Sequence, residues 1–130
     1  MKYLIATIIA AMCAATTNAD AIYRCEVVDV SQLEANGKLA KTDWAKTIQG
    51  LDEVIIFDSE SGLFRYSGES GSFEFTILQQ GSTSNAMKAA RIRQGPASAV
   101  METIQIQTFA QGEFIYVAQG LARTGKCDTL

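Results

Sequence analysis

A two-residue rhythm of apolar and polar side chains recurs along most of this chain, and it constrains the fold more than any other feature. In "TIQIQTF", Ile104 and Ile106 alternate with Gln105 and Gln107, the pattern of a strand with one buried face. "SFEFTIL" puts Phe73, Phe75 and Ile77 on one face of a strand and Glu74 and Thr76 on the other. "IYRCEVVDV", "EVIIF", "LFRY" and "AARIRQ" read as further strands. "EFIYVAQGLARTGKC" exceeds the usual strand length, and Gly120 within it marks a bulge or bend. The expectation is a mainly β domain: a single antiparallel barrel or sandwich of about seven to nine strands with one or two short helical turns.

Turn chemistry agrees with this periodicity. Asn36-Gly37 is the strongest two-residue hairpin signal, Gln111 to Glu113 is a second tight corner, and Gly95-Pro96 marks a third. Only two segments compete as helices. "TDWAKTIQG" has Thr42 or Asp43 as N-cap and Gly50 as stop, and "SNAMKAA" has Ser84 or Asn85 as cap. Either would plug the open end of a β structure, and Trp44, the single tryptophan, is expected to anchor its helix in the core.

The first residues read as an export signal. Lys2 supplies a positive start, Leu4 to Ala15 is an almost unbroken apolar run, and "TTNADA" is a small-residue segment with cleavage sites after Ala19 or Ala21. The apolar run is too short for a membrane span. Residues 1–21 are therefore expected to be a signal peptide and residues 22–130 a single β-rich domain, periplasmic or secreted, with no transmembrane segment in the mature chain. Met12 precedes Cys13 where a lipidation signal requires a small residue, so Cys13 leaves with the signal. Cys25 and Cys127 remain, and in an oxidising compartment two such cysteines pair. That disulfide would clamp the first strand to the last. No Cys-x-x-Cys is present, which argues against a thiol-redox enzyme.

Charge and composition exclude several function classes. The chain is mildly acidic, with formal net charge -3, which argues against nucleic-acid binding. It holds no histidine, which removes Ser-His and Cys-His nucleophiles, imidazole bases and the usual catalytic zinc sites. "GESGS" lacks the lysine and the following helix of a phosphate loop. Asp52 and Glu53 are strand neighbours that point to opposite faces, and a pairing of Glu69 with Glu74 would need a cleft to perturb one of them. No catalytic residue, cofactor or metal is expected.

The corner "FDSESGLFRYSGESG" invites a calcium reading, because Asp58, Glu60, Gly62 and Glu69 fall at positions one, three, five and twelve of a loop. Leu63 stands at position six, where a calcium loop needs glycine. The corner is therefore a hairpin turn over Ser59 to Gly62 whose serines and carboxylates satisfy local backbone groups. Charge is unevenly distributed around it. Asp52 to Glu74 carries six carboxylates against Arg65 alone, whereas Phe75 to Met101 carries Lys88, Arg91 and Arg93 and no acid. Lys88, Arg91, Arg93, Asp58 and Glu60 thus form a candidate interaction surface for a partner of complementary charge.

The Tyr23-x-Cys25 opening, the Phe57-Asp58-x-x-x-Gly62 corner with Arg65-Tyr66, and the closing Gly125-x-Cys127 resemble small uncharacterised exported proteins of Gram-negative bacteria. More remotely, Ser61-Gly62-Leu63-Phe64-Arg65-Tyr66 resembles the serine-glycine-x-arginine-tyrosine signature of periplasmic inhibitors of C-type lysozyme, which are small disulfide-clamped β-barrels. One extra residue separates the glycine from the arginine here, which flips the register of a strand, so no inhibitory residue is carried over. The expected function is binding within the cell envelope, with an unknown protein or small molecule as partner. An inhibitor of an envelope hydrolase is the specific form of that reading, and a carrier of a small apolar ligand is the alternative.

Overall fold

The structure is a computed structural model and describes residues 21–130. The expected signal segment, with Cys13, lies outside the described residues except for Ala21. Ten strands and one helix follow in order: β1 (Ile22–Leu33), β2 (Leu39–Ala40), α1 (Asp43–Gln49), β3 (Val54–Asp58), β4 (Leu63–Tyr66), β5 (Phe73–Glu74), β6 (Thr76–Gln79), β7 (Met87–Gln94), β8 (Ala99–Ile106), β9 (Glu113–Ala118) and β10 (Leu121–Thr129). All pairings are antiparallel, in the order β5-β4-β3-β1-β10-β9-β8-β7-β6, with the short β2 paired to β1. The two outermost strands, β5 and β6, are separated in the chain by Phe75 alone. The backbone itself therefore bridges the seam, and the sheet curls into a nearly closed barrel.

Phe73, Phe75 and Ile77 thus do not share one strand. Phe75 is the crossing point between two, buried while Phe73 and Glu74 are exposed. Its N–H donates to the Gly62 carbonyl at 2.8 Å, so the β3–β4 corner is where the barrel closes. Gly62 sits at φ +76, and a Cβ there would lie 2.0 Å from the Phe75 carbonyl oxygen. Both the left-handed backbone and the close approach require glycine.

The alternation read from the sequence fills the barrel. Ile55 and Phe57 on β3, Phe64 on β4, Met87 and Ala89 on β7, Ile104 and Ile106 on β8, and Phe114 and Tyr116 on β9 all point inward and are buried. Phe64 lies at the centre, with ring centroids 4.8 Å from Tyr116, 5.1 Å from Phe75 and 5.3 Å from Tyr66. On β1 the rhythm breaks once. The register slips between Val27 and Asp29 opposite β10, so Val27 and Val30 are both buried while Val28 is 65% exposed. A bulge of this kind tightens the bend a small barrel needs. Cys25 and Cys127 face each other across the β1–β10 pair, with Cα atoms 3.9 Å apart, and are joined by a disulfide. The first and last long strands are clamped as expected.

Several local expectations are corrected. Asn36-Gly37 forms a three-residue rather than a two-residue loop: the Glu34 N–H bonds the Lys38 carbonyl and the Gly37 N–H bonds the Glu34 carbonyl, with Gly37 at φ +79. Gly120 is not a bulge within one strand. Gln119 and Gly120, at φ +53 and +75, form a two-residue turn with the twist that hairpins favour. "SNAMKAA" is not a helix, because Ser82 Oγ accepts the N–H groups of Ser84 and Asn85 in a turn and the chain then enters β7. Pairing of Met87 and Ala89 with β8 overrides their helical propensity. α1 forms as read, with Thr42 Oγ1 accepting from the Ala45 N–H at 3.1 Å. It buries Ala45 and Ile48, which share a face at three-residue spacing. Trp44, one position round the helix, is 54% exposed and is not a core anchor.

Candidate functional site

The barrel has two ends, and the strand registers decide what each carries. Asp58 pairs with Ile22 at one end. At the other, Glu102 pairs with Ala118, Ala118 with Leu121, and Leu121 with Gln32. α1 lies beside this second end, held by its neighbours: the Val30 N–H donates to Gln49 Oε1 at 3.2 Å, Lys41 Nζ to the Val30 carbonyl at 2.6 Å, and Thr42 Oγ1 to Gln32 Oε1 at 2.6 Å. The helix leaves part of the barrel mouth open. A cavity of about 230 Å³ remains there, with Trp44, Phe73, Arg91 and Arg93 in its walls and Tyr116 and Arg123 deeper within it.

The mouth is polar because the inward rows change character near it. On β8 the row Ile106, Ile104 ends in Glu102. On β10, Arg123 stands beside Tyr116, and on β7 Met87 and Ala89 give way to Arg91 and Arg93. These groups pair closely. Arg123 Nε donates to Glu53 Oε2 at 2.6 Å, with both side chains largely buried, and its guanidinium lies 5.5 Å from the Tyr116 ring centroid. Arg91 Nη1 is 3.5 Å from Glu102 Oε2, and its guanidinium stacks 4.2 Å over Phe73. The Tyr116 hydroxyl donates to Glu102 Oε1 at 3.2 Å.

Electrostatics follow from this burial. Loss of solvent pushes the Tyr116 hydroxyl far above the ordinary tyrosine range, reinforced by its contact with Tyr66. Burial likewise raises Tyr66, although the Arg123 charge opposes the shift. Burial, the largest single influence, would lower Arg123, but the bond to Glu53 together with the charge interactions of Tyr66, Glu53 and Tyr116 outweighs it and holds the guanidinium above its usual value. Two tyrosines are therefore kept as neutral hydroxyls among fixed charges.

The sequence-predicted surface residues are not brought together. Arg91 and Arg93 share the inward register of β7 and both line the mouth. Lys88 points outward, opposite Gln105. Asp58 and Glu60 lie at the far end of the barrel. Asp58 accepts the N–H groups of Glu60 at 2.9 Å and Ser61 at 3.4 Å, and the bond from Glu60 foremost holds its carboxyl below the ordinary range. Its oxygens serve the turn. Sequence reasoning missed Glu53, Tyr66, Glu102, Tyr116 and Arg123 as a group. The available signal was Glu102, a carboxylate in phase with the buried Ile104 and Ile106.

A larger concavity, about 500 Å³, crosses the outer face along the row Gln105, Ile115, Thr124 and Asp29, beside the Val28 bulge. Its lining is mostly apolar in surface. Asp29 is already paired with Lys41. The smaller mouth, by contrast, combines convergent charges, buried hydroxyls and exposed aromatic faces, which is the composition of a recognition site. Gln119 belongs to the same rim, and its φ of +53 is the one that its two-residue turn with Gly120 requires. No protein-family model, no curated protein and no solved structure matches this chain, so its function is argued from the geometry of this mouth.

Proposed function

We propose that the protein is an exported binding protein of the cell envelope whose ligand site is the polar, aromatic-rimmed mouth of the barrel. The observation that carries this reading is the convergence of Arg91, Arg93, Arg123, Glu102 and Tyr116 on one cavity beside the half-exposed Trp44. The export-signal pattern of residues 1–21 and the Cys25–Cys127 disulfide support a periplasmic or secreted location. Packing of Phe57, Phe64, Phe75 and Met87 along the barrel axis favours binding at the mouth over carriage of an apolar ligand within the barrel. Arg91 and Arg123 are each answered by a carboxylate while Arg93 is left to meet a ligand, which suits recognition rather than turnover.

The test uses the mature domain and small-molecule fractions of periplasmic extract. A fraction that raises the melting temperature and shifts Trp44 emission supports the proposal if Arg93→Ala loses the response while keeping the parent melting temperature. A response that survives Arg93→Ala and disappears in Ile115→Ser moves the site to the outer groove. Hydrolysis or group transfer by the pure protein would overturn the non-enzymatic reading.

A further inference from the structure

The geometry points to a small planar monoanion, of the aromatic carboxylate class, as the ligand of the barrel mouth; this rests on the mouth being the binding site. Charge matching is the first argument. Two of the three guanidinium groups are answered internally, Arg91 by Glu102 at 3.5 Å and Arg123 by Glu53 at 2.6 Å. Arg93 has no ion-pair partner among the described residues, yet it lines the same cavity as Arg91 and is exposed. The mouth thus carries one unmatched positive charge in a chain of net charge -3. A monoanion neutralises it. A dianion such as phosphate would need a second free cation, and a cation would meet Arg93 with no free carboxylate, since Glu102 is buried against Arg91.

Shape is the second argument. The rim offers two aromatic faces, Trp44 at 54% and Phe73 at 36% exposure. Arg91 is already stacked on Phe73, so the wall presents a layered flat surface on which a planar body stacks. The cavity, about 230 Å³, is smaller than the range of about 300–1,000 Å³ typical of drug-sized ligands. Arg93 presents a planar fork that matches a carboxylate in bidentate fashion. Arg93 stands on the inward row of β7, two residues beyond Arg91, and lines the same cavity as Trp44 and Phe73.

The single tryptophan yields a single indole N–H resonance, which reports on the mouth directly. Benzoate, benzyl alcohol, benzylamine and inorganic phosphate are titrated against the mature protein while that resonance is followed. Benzoate is expected to move it saturably, with the other three at least tenfold weaker. Arg93→Gln should weaken benzoate tenfold or more with the melting temperature unchanged. Equal binding of benzyl alcohol overturns the charge argument while leaving the mouth as a site. Phosphate binding as tightly as benzoate overturns the planar argument. If no probe moves the resonance, the ligand class is wrong, and the extract test above then judges the mouth independently.

Discussion

Replacing Gly62 by alanine tests the closure of the barrel, and Gly68 provides the control. Both glycines occupy the left-handed region, at φ +76 and +88. An alanine there costs about 1–2 kcal/mol in backbone conformation at either position. At Gly68 the new Cβ meets nothing within 4 Å, so the cost stops there. At Gly62 it would lie 2.0 Å from the Phe75 carbonyl oxygen and 3.1 Å from its carbon. Backbone cannot rotate out of the way as a side chain can, so the β3–β4 corner must separate from the β5–β6 crossing. That separation breaks the 2.8 Å bond from the Phe75 N–H to the Gly62 carbonyl, about 1 kcal/mol net. It also disturbs the packing of Phe75, which is 3% exposed. Gly62→Ala should therefore destabilise by about 2 kcal/mol more than Gly68→Ala, a further drop of roughly 8 °C in melting temperature. Urea and thermal unfolding of the oxidised mature domain measure both variants. If the two fall within about 0.5 kcal/mol of each other, the seam is not closed at Gly62 and the reasoning fails.

Phe64→Ala removes the ring at the centre of the aromatic cluster and should cost about 3–5 kcal/mol in chemical denaturation; a loss below about 1 kcal/mol would contradict its full burial. Reduction of Cys25–Cys127, or Cys127→Ala, should cost about 2–5 kcal/mol, read as a lower urea midpoint, because the bond closes a sequence separation of 102. Tyr23, Tyr66 and Tyr116 are all raised by burial, so their contribution to stability is fully present below the unfolded value of about pH 10 and is lost as pH rises beyond it. Tyrosinate absorbance should then appear together with loss of structure; ionisation of all three in the folded protein would contradict the packing. Asp58→Asn with Glu60→Gln should change stability by no more than about 0.5 kcal/mol, and added calcium should leave both melting curves unmoved, because Asp58 is engaged by backbone N–H groups of its own turn.

Much of the barrel was written in local pattern. Period-two alternation named the strands around Ile55, Phe64, Ile104 and Tyr116, because one buried face per strand requires it. The N-cap at Thr42 and the turn at Ser59 to Gly62 were legible for the same reason, since they depend only on neighbours in the chain. Pairing of Cys25 with Cys127 followed from there being two cysteines after the signal segment, given an oxidising compartment. What tertiary structure decided were matters of register and closure. "SFEFTIL" alternates without interruption, and only the meeting of Phe75 with Gly62 divides it between the two edges of the sheet. "SNAMKAA" has helical composition, and pairing along β8 made it a strand. The mouth was illegible for the deepest reason. Glu53 and Arg123 are 70 residues apart in the chain, and their contact exists only because β3 and β10 flank β1 in the curved sheet. A charged residue in phase with buried neighbours signals that it needs a partner, but which partner is set by the order of strands around the barrel.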